Sequence, residues 1–424
     1  MNRLSQSCLD LGRDRSGASA GQNSAVESTS ASEAIAHVGL LTGGSDKSYA
    51  LGLASALSSQ NLRVEFIGSD ELDCAEVREL AGLTFMNLRG DLRDNVGSAQ
   101  KAVRIIRYYA QLARYAAVAK PKILHILWNN KFELFDRTLL MLYYRLARKR
   151  IVLTAHNVNA AKRDLKDNWL NRCSLCIQYR LCHHVFVHTE AMKREMVSDF
   201  GVAKENVSVI PFGMNDTIPV SDLTPLEAKQ RLGLTPTQGT LLFFGQIAPY
   251  KGLKYLIAAM AILAKAGAEV RLIVAGRIKR GHADYWDQIQ QMIFQEGIRH
   301  LVIERLGWIH DDQVEQYFKA ADAVALPYLD IFQSGVPFLA FSFGVPMIAS
   351  DVGSLRDDVV EETGLLCKPQ DPLDLARAIE RFFQGELYRS LESRRDRIRR
   401  FGARHHSWTE VGELTKAVYD NLLK

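Results

Sequence analysis

The chain has 424 residues and a formal net charge of +5 at pH 7, with 47% hydrophobic and 24% charged residues. This length exceeds what one hydrophobic core usually supports, so we expect two domains of ordinary size. No apolar run approaches the about 18 residues that a membrane-spanning helix needs. We therefore expect a globular protein that is not integral to a membrane.

Residues 1–33 are rich in Ser, Ala and Gly, which predicts a disordered tail. The tail lacks the continuous apolar stretch of a secretion signal, and its acidic residues, among them Asp10 and Glu27, argue against an organelle transit peptide. The six cysteines form no disulfide-like framework, which is typical of a reducing compartment. These features predict a cytoplasmic protein.

A CxxC pair at Cys173 and Cys176, followed by Cys182, could be read as part of a zinc site. The pair falls within a predicted helix and no second CxxC follows it. We therefore expect buried thiols and no bound metal.

The first predicted strand, at residues 35–41, ends in a turn that contains Gly43 and Gly44. A helix at 47–58 and a strand at 63–67 complete a strand-helix-strand unit. Paired glycines at the first turn of such a unit let a phosphate or a sugar approach the backbone closely. The turn lacks the GxGxxG pattern, which disfavours a nicotinamide or flavin nucleotide.

Residues 100–195 contain 19 Lys and Arg against 6 Asp and Glu, a local charge of +13. A tyrosine-rich helix is predicted at 97–118, and a second helix at 136–150 ends in a basic cluster that includes Arg145, Arg148, Lys149 and Arg150. Basic residues beside Leu and Tyr suit an anionic membrane surface, although a helix packed on a sheet has a similar pattern. We expect no nucleic-acid partner, because no nucleic-acid motif accompanies the basic residues.

A strand predicted at 151–154 runs directly into His156. A histidine at the carboxyl end of a parallel strand lies where open α/β sheets bind their ligands. Two further strands are predicted at 185–187 and 207–210, and the turn at 211–215 marks the exit from the first domain. Beyond it, Thr224 and Glu227 have the spacing of a helix capping box.

The alternation of strands and helices starts again at residue 240, with strands predicted at 240–244, 270–275, 302–305 and 323–326. Two halves of this kind predict an α/β protein of two doubly wound, Rossmann-like domains that face each other across a cleft.

A helix predicted after Ser334 has Pro337 in its first turn and ends at Gly344, before an apolar strand at 345–349. The turn in front of it consists of Gln333, Ser334, Gly335 and Val336. Its unpaired backbone amides and the positive end of the helix dipole would attract a phosphate, although most helix starts bind no ligand.

Together these residues resemble the retaining glycosyltransferases of the GT-B fold, in particular the group 1 family, also called family 4. The stretches that carry the resemblance are FFGQIAPYKGLKYLIAA (243–259), LIVAGR (272–277), SGV and FGVPMIASDVG (within 334–353), TGLLCKPQDPLDLARAI (363–379) and, more loosely, TAHN (154–157) and VIPFGMN (209–215). The resemblance covers residues 36–385. It implies an acceptor domain at 34–217, a nucleotide-sugar domain at 218–385, and helices at 386–424 that pack back toward the first domain.

The family's diphosphate motif G-R-x-x-x-x-K-G corresponds here to Gly245, Gln246 and Lys251. Lys251 is retained and would neutralise phosphate charge, whereas Gln246 replaces the family's arginine. We hypothesise that Arg277, Lys279 or Arg280 supplies the missing charge.

A larger departure concerns two glutamates that the family usually has eight positions apart. Their positions fall at Ile331 and Leu339, whose side chains cannot accept a hydrogen bond. Asp330 lies one place away and would stand in for the first glutamate, while the ribose contact of the second is lost.

The resemblance implies transfer of a sugar from a nucleotide-sugar donor to a glycan or lipid-linked acceptor, with retained configuration. It also implies surface polysaccharide biosynthesis at the inner face of a membrane, with no tightly bound cofactor. The predicted catalytic residues are His156, Lys251 and Asp330, and the predicted donor-binding residues are Gly43, Gly44, Gly245, Gln246, Arg277, Gln333, Ser334, Gly335 and Val336. Two alternatives are a GT-B-like epimerase or phosphorylase, which the match through SGV and FGVP disfavours, and a non-catalytic sugar-nucleotide-binding relative, which the missing glutamates favour.

Overall fold

The computed structural model describes residues 36–43, 46–91, 97–163, 166–215, 217–331 and 333–424. The tail predicted at 1–33 and the predicted donor-binding residue Gly44 lie outside these ranges. The described residues form two parallel β-sheets surrounded by helices.

The strands of the first sheet are β1 (His37–Leu41), β2 (Arg63–Gly68), β3 (Leu83–Asn87), β4 (Ile123–Ile126), β5 (Arg150–Thr154), β6 (His184–Val187) and β7 (Val207–Val209). All are parallel, in the order β3-β2-β1-β4-β5-β6-β7. The order reverses between β1 and β4, and the crevice at the carboxyl ends of the strands at such a point is the usual ligand site of an open α/β sheet.

The strands of the second sheet are β8 (Thr240–Phe244), β9 (Arg271–Gly276), β10 (Val302–Leu306), β11 (Ala323–Leu326), β12 (Met347–Ser350) and β13 (Gly364–Cys367). They are also parallel, in the order β10-β9-β8-β11-β12-β13, so the reversal lies between β8 and β11. Strands β11 and β12 are buried along their whole length, as expected where helices cover both faces of a sheet. The prediction of two doubly wound sheets is confirmed.

The helices are α1 (Lys47–Ser59), α2 (Ala75–Arg78), α3 (Ser98–Val118), α4 (Glu133–Phe135), α5 (Met141–Leu146), α6 (Ala160–Arg163), α7 (Trp169–Leu181), α8 (Glu190–Phe200), α9 (Pro225–Arg231), α10 (Leu253–Lys265), α11 (Ala283–Gln295), α12 (Asp311–Ala320), α13 (Val336–Phe343), α14 (Leu355–Asp358), α15 (Pro372–Gln384), α16 (Glu386–Arg389), α17 (Leu391–His405) and α18 (Trp408–Leu423). The predicted capping box starts α9, where the Thr224 hydroxyl accepts from the Glu227 amide at 3.2 Å. In return, the Glu227 carboxylate accepts from the Thr224 amide at 2.8 Å.

The helix predicted at 136–150 is present with different bounds. Helix α4, a π-helical turn at Asp136–Leu140 and α5 follow one another without a break from Glu133 to Leu146, and the chain has already entered β5 at Arg150. Lys149 is not part of the exposed basic cluster, because it is buried and its Nζ donates to the carbonyls of Ala119 and Pro121 at 2.6 and 2.8 Å. These carbonyls follow α3, so Lys149 stabilises the negative end of that helix.

The expectation of buried thiols was wrong for the CxxC pair, because Cys173 is exposed and Cys176 is half-buried on α7. Cys182, which follows the pair, is buried. Within the described ranges, no group of three or more His, Cys, Asp or Glu side chains is arranged to hold a metal ion.

The last helix returns to the first sheet. Helix α18 packs against α1, and its Val411 and Tyr419 are buried in the same core as Val38 and Phe66. The Tyr419 hydroxyl also forms a 2.6 Å hydrogen bond with Nδ1 of His125 on β4. The core on this side of the first sheet therefore includes the end of the chain.

Trp408, the first residue of α18, packs between α1 and the loop that contains Gly213 and Met214. Its indole Nε1 donates to the Met214 carbonyl at 2.7 Å. The ring lies so close to Gly52 and Gly213 that a Cβ at either position would come within 2.2 Å of it. Only glycine fits at these two positions without a shift of the indole.

Candidate functional site

Lys251 is the centre of the second domain's part of the candidate site. Its buried Nζ donates to the Tyr328 hydroxyl at 2.9 Å, and that hydroxyl lies 3.3 Å from Oγ of Ser334. Ser334 Oγ in turn accepts a long, 3.4 Å bond from the Val336 amide. This chain of contacts places the Lys251 ammonium beside the N-terminus of α13, where its charge and the helix dipole attract the same anion.

Gly245 leaves space beside this ammonium. Its φ is +99°, and a Cβ there would lie 3.6 Å from Lys251 Nζ and 3.7 Å from Cγ2 of Val336. The Gly245 carbonyl packs against Gly276, where a Cβ would come within 1.9 Å of that oxygen. The two glycines bring the ends of β8 and β9 together and leave bare backbone next to a cation, which suits a phosphate.

The loop that contains Lys251 packs tightly against the residues that follow β11. Gly252 has a left-handed φ of +68°, and a Cβ there would lie 1.8 Å from the Pro327 carbonyl oxygen. On the same stretch, the Leu329 amide donates to the Tyr250 carbonyl at 2.9 Å. Lys251 is therefore held in position by backbone contacts before any ligand binds.

The other predicted donor-binding residues lie around this centre. Arg277 is exposed, and its guanidinium lies 5.3 Å from the ring centroid of Trp308, which is itself exposed. Gln246 is half-buried, and the buried Oε1 of Gln333 has no hydrogen-bond partner among the described residues. The structure thus brings Gly245, Lys251, Ser334 and Val336 together, with Arg277 at the rim.

The positions of the family's glutamates are apolar and buried. Ile331 and Leu339 are 4% and 8% exposed and belong to the core of the second domain. Asp330, by contrast, is exposed and lies near Glu195 on α8 of the first domain. Burial is the main cause that raises the pKa of Glu195; Lys162 opposes this shift and Asp330 adds to it. Asp330 therefore lies where the two domains approach each other.

His156 is the centre of the first domain's part of the site. Its ring stacks on Trp128, with the centroids 4.4 Å apart and the planes 6° apart. Gly43 packs against the backbone of Trp128. A Cβ at Gly43 would lie 2.3 Å from the Trp128 carbonyl oxygen, so only glycine fits there. The predicted residues Gly43 and His156 are thus joined through Trp128, which the sequence placed only in a loop.

Two histidines set each other's protonation. Nδ1 of His188 lies 3.2 Å from the Ile210 carbonyl, so it carries the proton and donates. Nε2 of His188 then accepts from Nδ1 of His156 at 3.0 Å, which leaves Nε2 of His156 unprotonated. Burial is the main cause that lowers the pKa of His188 to about 4 and that of His156 well below its usual 6.5. Nε2 of His156 is buried and has no hydrogen-bond partner within the described ranges, so it can accept one from a ligand.

We expect the protein to lose stability as the pH falls from about 6.5 to about 4. Burial lowers the pKa of His125 to about 3 and those of His184 and His188 to about 4. The unfolded chain therefore binds protons in this range that the folded protein does not, which favours unfolding; one pKa unit corresponds to about 1.4 kcal/mol for each group. The melting temperature should be measured from pH 7.5 to pH 4.5, and a constant value between pH 7 and pH 5 would contradict the expectation.

Phe212 connects the two parts of the site. Its ring lies 5.0 Å from that of His188 and stacks on Phe338 of α13, with the centroids 4.7 Å apart. Nearby, the Ser342 hydroxyl of the same helix donates to the Asn215 carbonyl at 3.0 Å. Phe212 thus links the His156 group of the first domain to α13, the helix that begins beside Lys251.

Sequence reasoning missed the aromatic residues that organise the cleft, namely Trp128, Phe212, Trp308 and Tyr328. Trp128, Trp308 and Tyr328 follow the carboxyl ends of strands β4, β10 and β11, which is the same positional signal that singled out His156.

Two family models match the chain. The model described as Glycosyltransferase Family 4 matches residues 47–217, and the model described as Glycosyl transferases group 1 matches residues 238–384. The two matches correspond to the two sheets and together cover most of the chain.

Curated relatives match over part of their length. An uncharacterized glycosyltransferase of Methanocaldococcus jannaschii is 27% identical over 57% of this chain and 60% of its own length. A D-inositol 3-phosphate glycosyltransferase of Nocardia farcinica is 28% identical over 53% of this chain and 50% of its own length. The chain thus matches about half to three fifths of these relatives.

Solved structures match over almost the whole chain. HepE of Anabaena, in complex with UDP and glucose, superposes with a TM-score of 0.70 and 16% identity, covering 92% of this chain and 100% of HepE. The sucrose-phosphate synthase of Thermosynechococcus elongatus has a TM-score of 0.70 and 19% identity, covering 92% and 99% of the two chains. These similarities show the GT-B arrangement of two facing Rossmann-like domains.

Proposed function

Because this chain belongs to the group 1 glycosyltransferases, also called family 4, we propose that it transfers a sugar from a nucleotide-diphosphate donor to an acceptor hydroxyl. The observation that carries the proposal is the position of the Lys251 ammonium, beside the bare backbone of Gly245 and the first turn of α13. A buried cation, an open glycine turn and a helix N-terminus in one place fit a diphosphate better than any neutral ligand.

Lys251 and the first turn of α13 act on the negative charge that forms during the reaction. When the bond between the anomeric carbon and the diphosphate oxygen breaks, negative charge builds up on the diphosphate. Lys251 and the amides at the start of α13 stabilise that charge in the transition state. In a transfer with retained configuration, the acceptor hydroxyl attacks the face that the diphosphate leaves. The departing phosphate oxygen is then a base close to the hydroxyl proton.

His156 faces the donor sugar from the opposite side of the cleft. Its neutral imidazole offers Nε2 as an acceptor, so we assign it a hydrogen bond from a sugar hydroxyl. Asp330 lies at the point where the domains approach each other and would act near the transferred sugar. The Trp128 carbonyl occupies the space that a Cβ of Gly43 would fill, so we assign Gly43 the role of packing the Trp128 loop against the end of β1.

The acceptor side of the first domain is unusually apolar at its surface. Helices α3, α4, α5 and α7 are neighbours, since Tyr109 of α3 packs on Phe135 of α4, and Arg137 donates to Asn171 of α7 at 2.9 Å. The exposed large apolar residues of these helices and of the turns at their ends are Val103, Ile106, Val118, Phe132, Leu134, Phe135, Leu139, Leu142, Leu146, Trp169, Leu170 and Ile177.

Exposed arginines accompany these side chains, among them Arg107, Arg114, Arg145 and Arg180. Apolar and cationic side chains on one surface suit the interface of an anionic membrane. None of the helices in the described ranges is both long and apolar enough to cross a bilayer. We therefore place the enzyme peripherally at the inner face of a membrane, with a lipid-linked or glycan acceptor in surface polysaccharide synthesis.

We expect the protein to float with anionic phospholipid vesicles at low salt. Replacing Leu139, Leu142 and Leu146 together by serine should weaken vesicle binding roughly 10-fold or more, because their apolar contact with the lipid is lost. Phe294→Ser is the matched control, since Phe294 is 83% exposed on α11 of the second domain. Equal flotation of the triple variant and the wild type would contradict this orientation.

A second candidate function is supported by the buried Ile331 and Leu339, which supply no carboxylate to the donor. A protein with this site could bind a sugar nucleotide without transferring the sugar.

The two candidates separate in one experiment. The purified protein is titrated with UDP-, GDP-, ADP- and dTDP-sugars while its melting temperature and the hydrolysis or transfer of each sugar are measured. Saturation at 100 times Kd stabilises a folded protein by about 2.7 kcal/mol, so binding of one donor should raise the melting temperature. A shift with transfer supports the enzyme, and a shift without hydrolysis or transfer supports the binding protein. No shift with any nucleotide would overturn both.

A further inference from the structure

A second cavity opens on the first domain, separate from the Lys251 group. Its volume is about 160 Å³, and the described residues that line it include Arg89, Lys101, Arg104 and Lys131, together with Asp91, whose carboxylate lies 3.8 Å from the Arg104 guanidinium. Among these described residues the basic side chains outnumber the acidic ones, which favours an anionic ligand. A phosphate group is small enough to enter the cavity, and a neutral sugar would gain nothing from the charge.

Arg89 provides the strongest evidence that this cavity binds a ligand. Its guanidinium lies 5.2 Å from the ring centroid of Tyr108, which also lines the cavity. Nη1 of Arg89 is buried and has no hydrogen-bond partner among the described residues. A buried guanidinium N–H without an acceptor is costly, and an anion in the cavity would remove that cost.

The wall behind Arg89 is a hydrogen-bonded network around Asp136, whose Oδ2 is buried and has no partner among the described residues. The Tyr108 hydroxyl donates to Oδ1 of Asn130 at 2.8 Å, while Asn130 and Tyr109 donate to Oδ1 of Asp136 at 3.3 and 2.9 Å. Asp136 is buried behind these side chains, and burial is the main cause that raises its pKa. This carboxyl also lies near Arg89, whose positive charge opposes the rise in its pKa.

The cavity lies on the ligand-binding edge of the first sheet. Arg89 follows β3 and Asn130 follows β4, so both extend from the carboxyl ends of their strands. Asn130 comes two residues after Trp128, the ring on which His156 stacks. A molecule bound here can therefore extend along this edge toward His156.

We propose that this cavity binds a phosphate group of the acceptor, so that the acceptor is a phosphorylated molecule and not a neutral glycan. The inference rests on the proposed function and specifies its acceptor. Arg89 and Lys131 hold the phosphate from the two loops, and the hydroxyl that receives the sugar lies toward His156. The sugar transfer neither forms nor breaks a bond to this phosphate.

Inorganic phosphate and pyrophosphate are the first probes, and their binding is measured calorimetrically on the full chain with the donor site filled by its nucleotide. Arg89→Met and Lys131→Met should each weaken phosphate binding roughly 10- to 100-fold, which is the range for a lost charge-assisted hydrogen bond. Arg231→Met is the control, because Arg231 is an exposed arginine on α9 that lies outside the cavity and outside the proposed membrane surface. Melting temperatures of all variants establish that they fold.

The outcomes separate this inference from the proposed function. If Arg89→Met loses phosphate binding but keeps its nucleotide-induced rise in melting temperature, the cavity binds phosphate independently of the donor. Phosphate affinity that is unchanged in both variants, or lost only in Lys251→Ala, would overturn the inference. Failure of every nucleotide to bind would overturn the proposed function. The phosphate titration is then made without nucleotide, and Lys251→Ala distinguishes binding at the Lys251 group from binding in the cavity.

A second arm identifies the source of the phosphate. A soluble hexose phosphate is compared with phosphatidylcholine vesicles that contain a polyprenyl phosphate, each as a competitor for inorganic phosphate. Competition by the soluble compound indicates a sugar phosphate acceptor, and competition only by the doped vesicles indicates a lipid-linked acceptor. Either result supports the inference, and competition by neither contradicts it.

Discussion

Lys251→Ala should lower turnover by roughly 10- to 1000-fold, as the removal of other charge-stabilising groups does. The buried ammonium lies next to Gly245 and is held by Tyr328, so no water-exposed side chain can easily replace it. Its effect should be larger on kcat than on donor affinity, because the charge of the diphosphate increases as the glycosidic bond breaks. Steady-state kinetics with the donor identified by titration measures both quantities.

A control is needed because a buried charge also affects folding. Lys265→Ala removes a surface lysine at the other end of the helix that follows Lys251, where it pairs with Glu296 at 2.7 Å. This variant should keep wild-type kinetics. Lys251→Arg tests whether charge alone is sufficient, and we expect only partial activity because the larger guanidinium must share the space beside Gly245. Near-normal turnover of Lys251→Ala in a folded protein would refute the assigned role.

His156→Ala should lower kcat/KM by roughly 10- to 100-fold, since it removes the acceptor that a sugar hydroxyl uses in a buried site. The pKa of His156 is lowered well below 6.5, chiefly by burial, so the imidazole is neutral throughout the physiological range. Activity should therefore show no inflection from His156 near pH 6.5. A protonation step near that pH which disappears in His156→Ala would contradict the neutral imidazole.

His188 provides a sharper test, because it positions His156 without facing the cleft's ligand. His188→Gln offers an oxygen that can still accept from Nδ1 of His156 and should preserve much of the activity. His188→Leu cannot accept, so Nδ1 of His156 loses the partner that fixes the tautomer, and the activity should fall toward that of His156→Ala. Equal kinetics of the two variants would show that the tautomer does not matter.

Much of the fold could be predicted because parallel strands covered on both faces are short, nearly continuous apolar runs. Strands β8 and β11 are of this kind, and the glycine and proline residues around α13 mark its ends. Strand β3 is not predicted, since it lies at the edge of the sheet and none of its five residues is fully buried. The π-helical turn at Asp136–Leu140 is also not predicted, because its apolar spacing does not differ enough from that of an α-helix.

The candidate site was predictable as a set of positions but not as a set of contacts. His156 and Lys251 follow the carboxyl ends of strands, and topology places such positions in the cleft. Their partners are distant in sequence: Lys251 bonds to Tyr328, 77 residues later, and His156 bonds to His188, 32 residues later. No periodic pattern connects such pairs, because side-chain packing alone brings them together.

The position of α18 has a consequence for how the protein acquires its structure on the ribosome. Val411 and Tyr419 are part of the core that also contains residues of β1, β2 and α1, so the first domain cannot finish its packing until α18 has been synthesised. The second sheet, whose strands end at Cys367, emerges completely before that point. Although domains usually fold in the order of their synthesis, here the half made first is finished last. A nascent chain stalled before Trp408 would therefore display an incomplete core to chaperones.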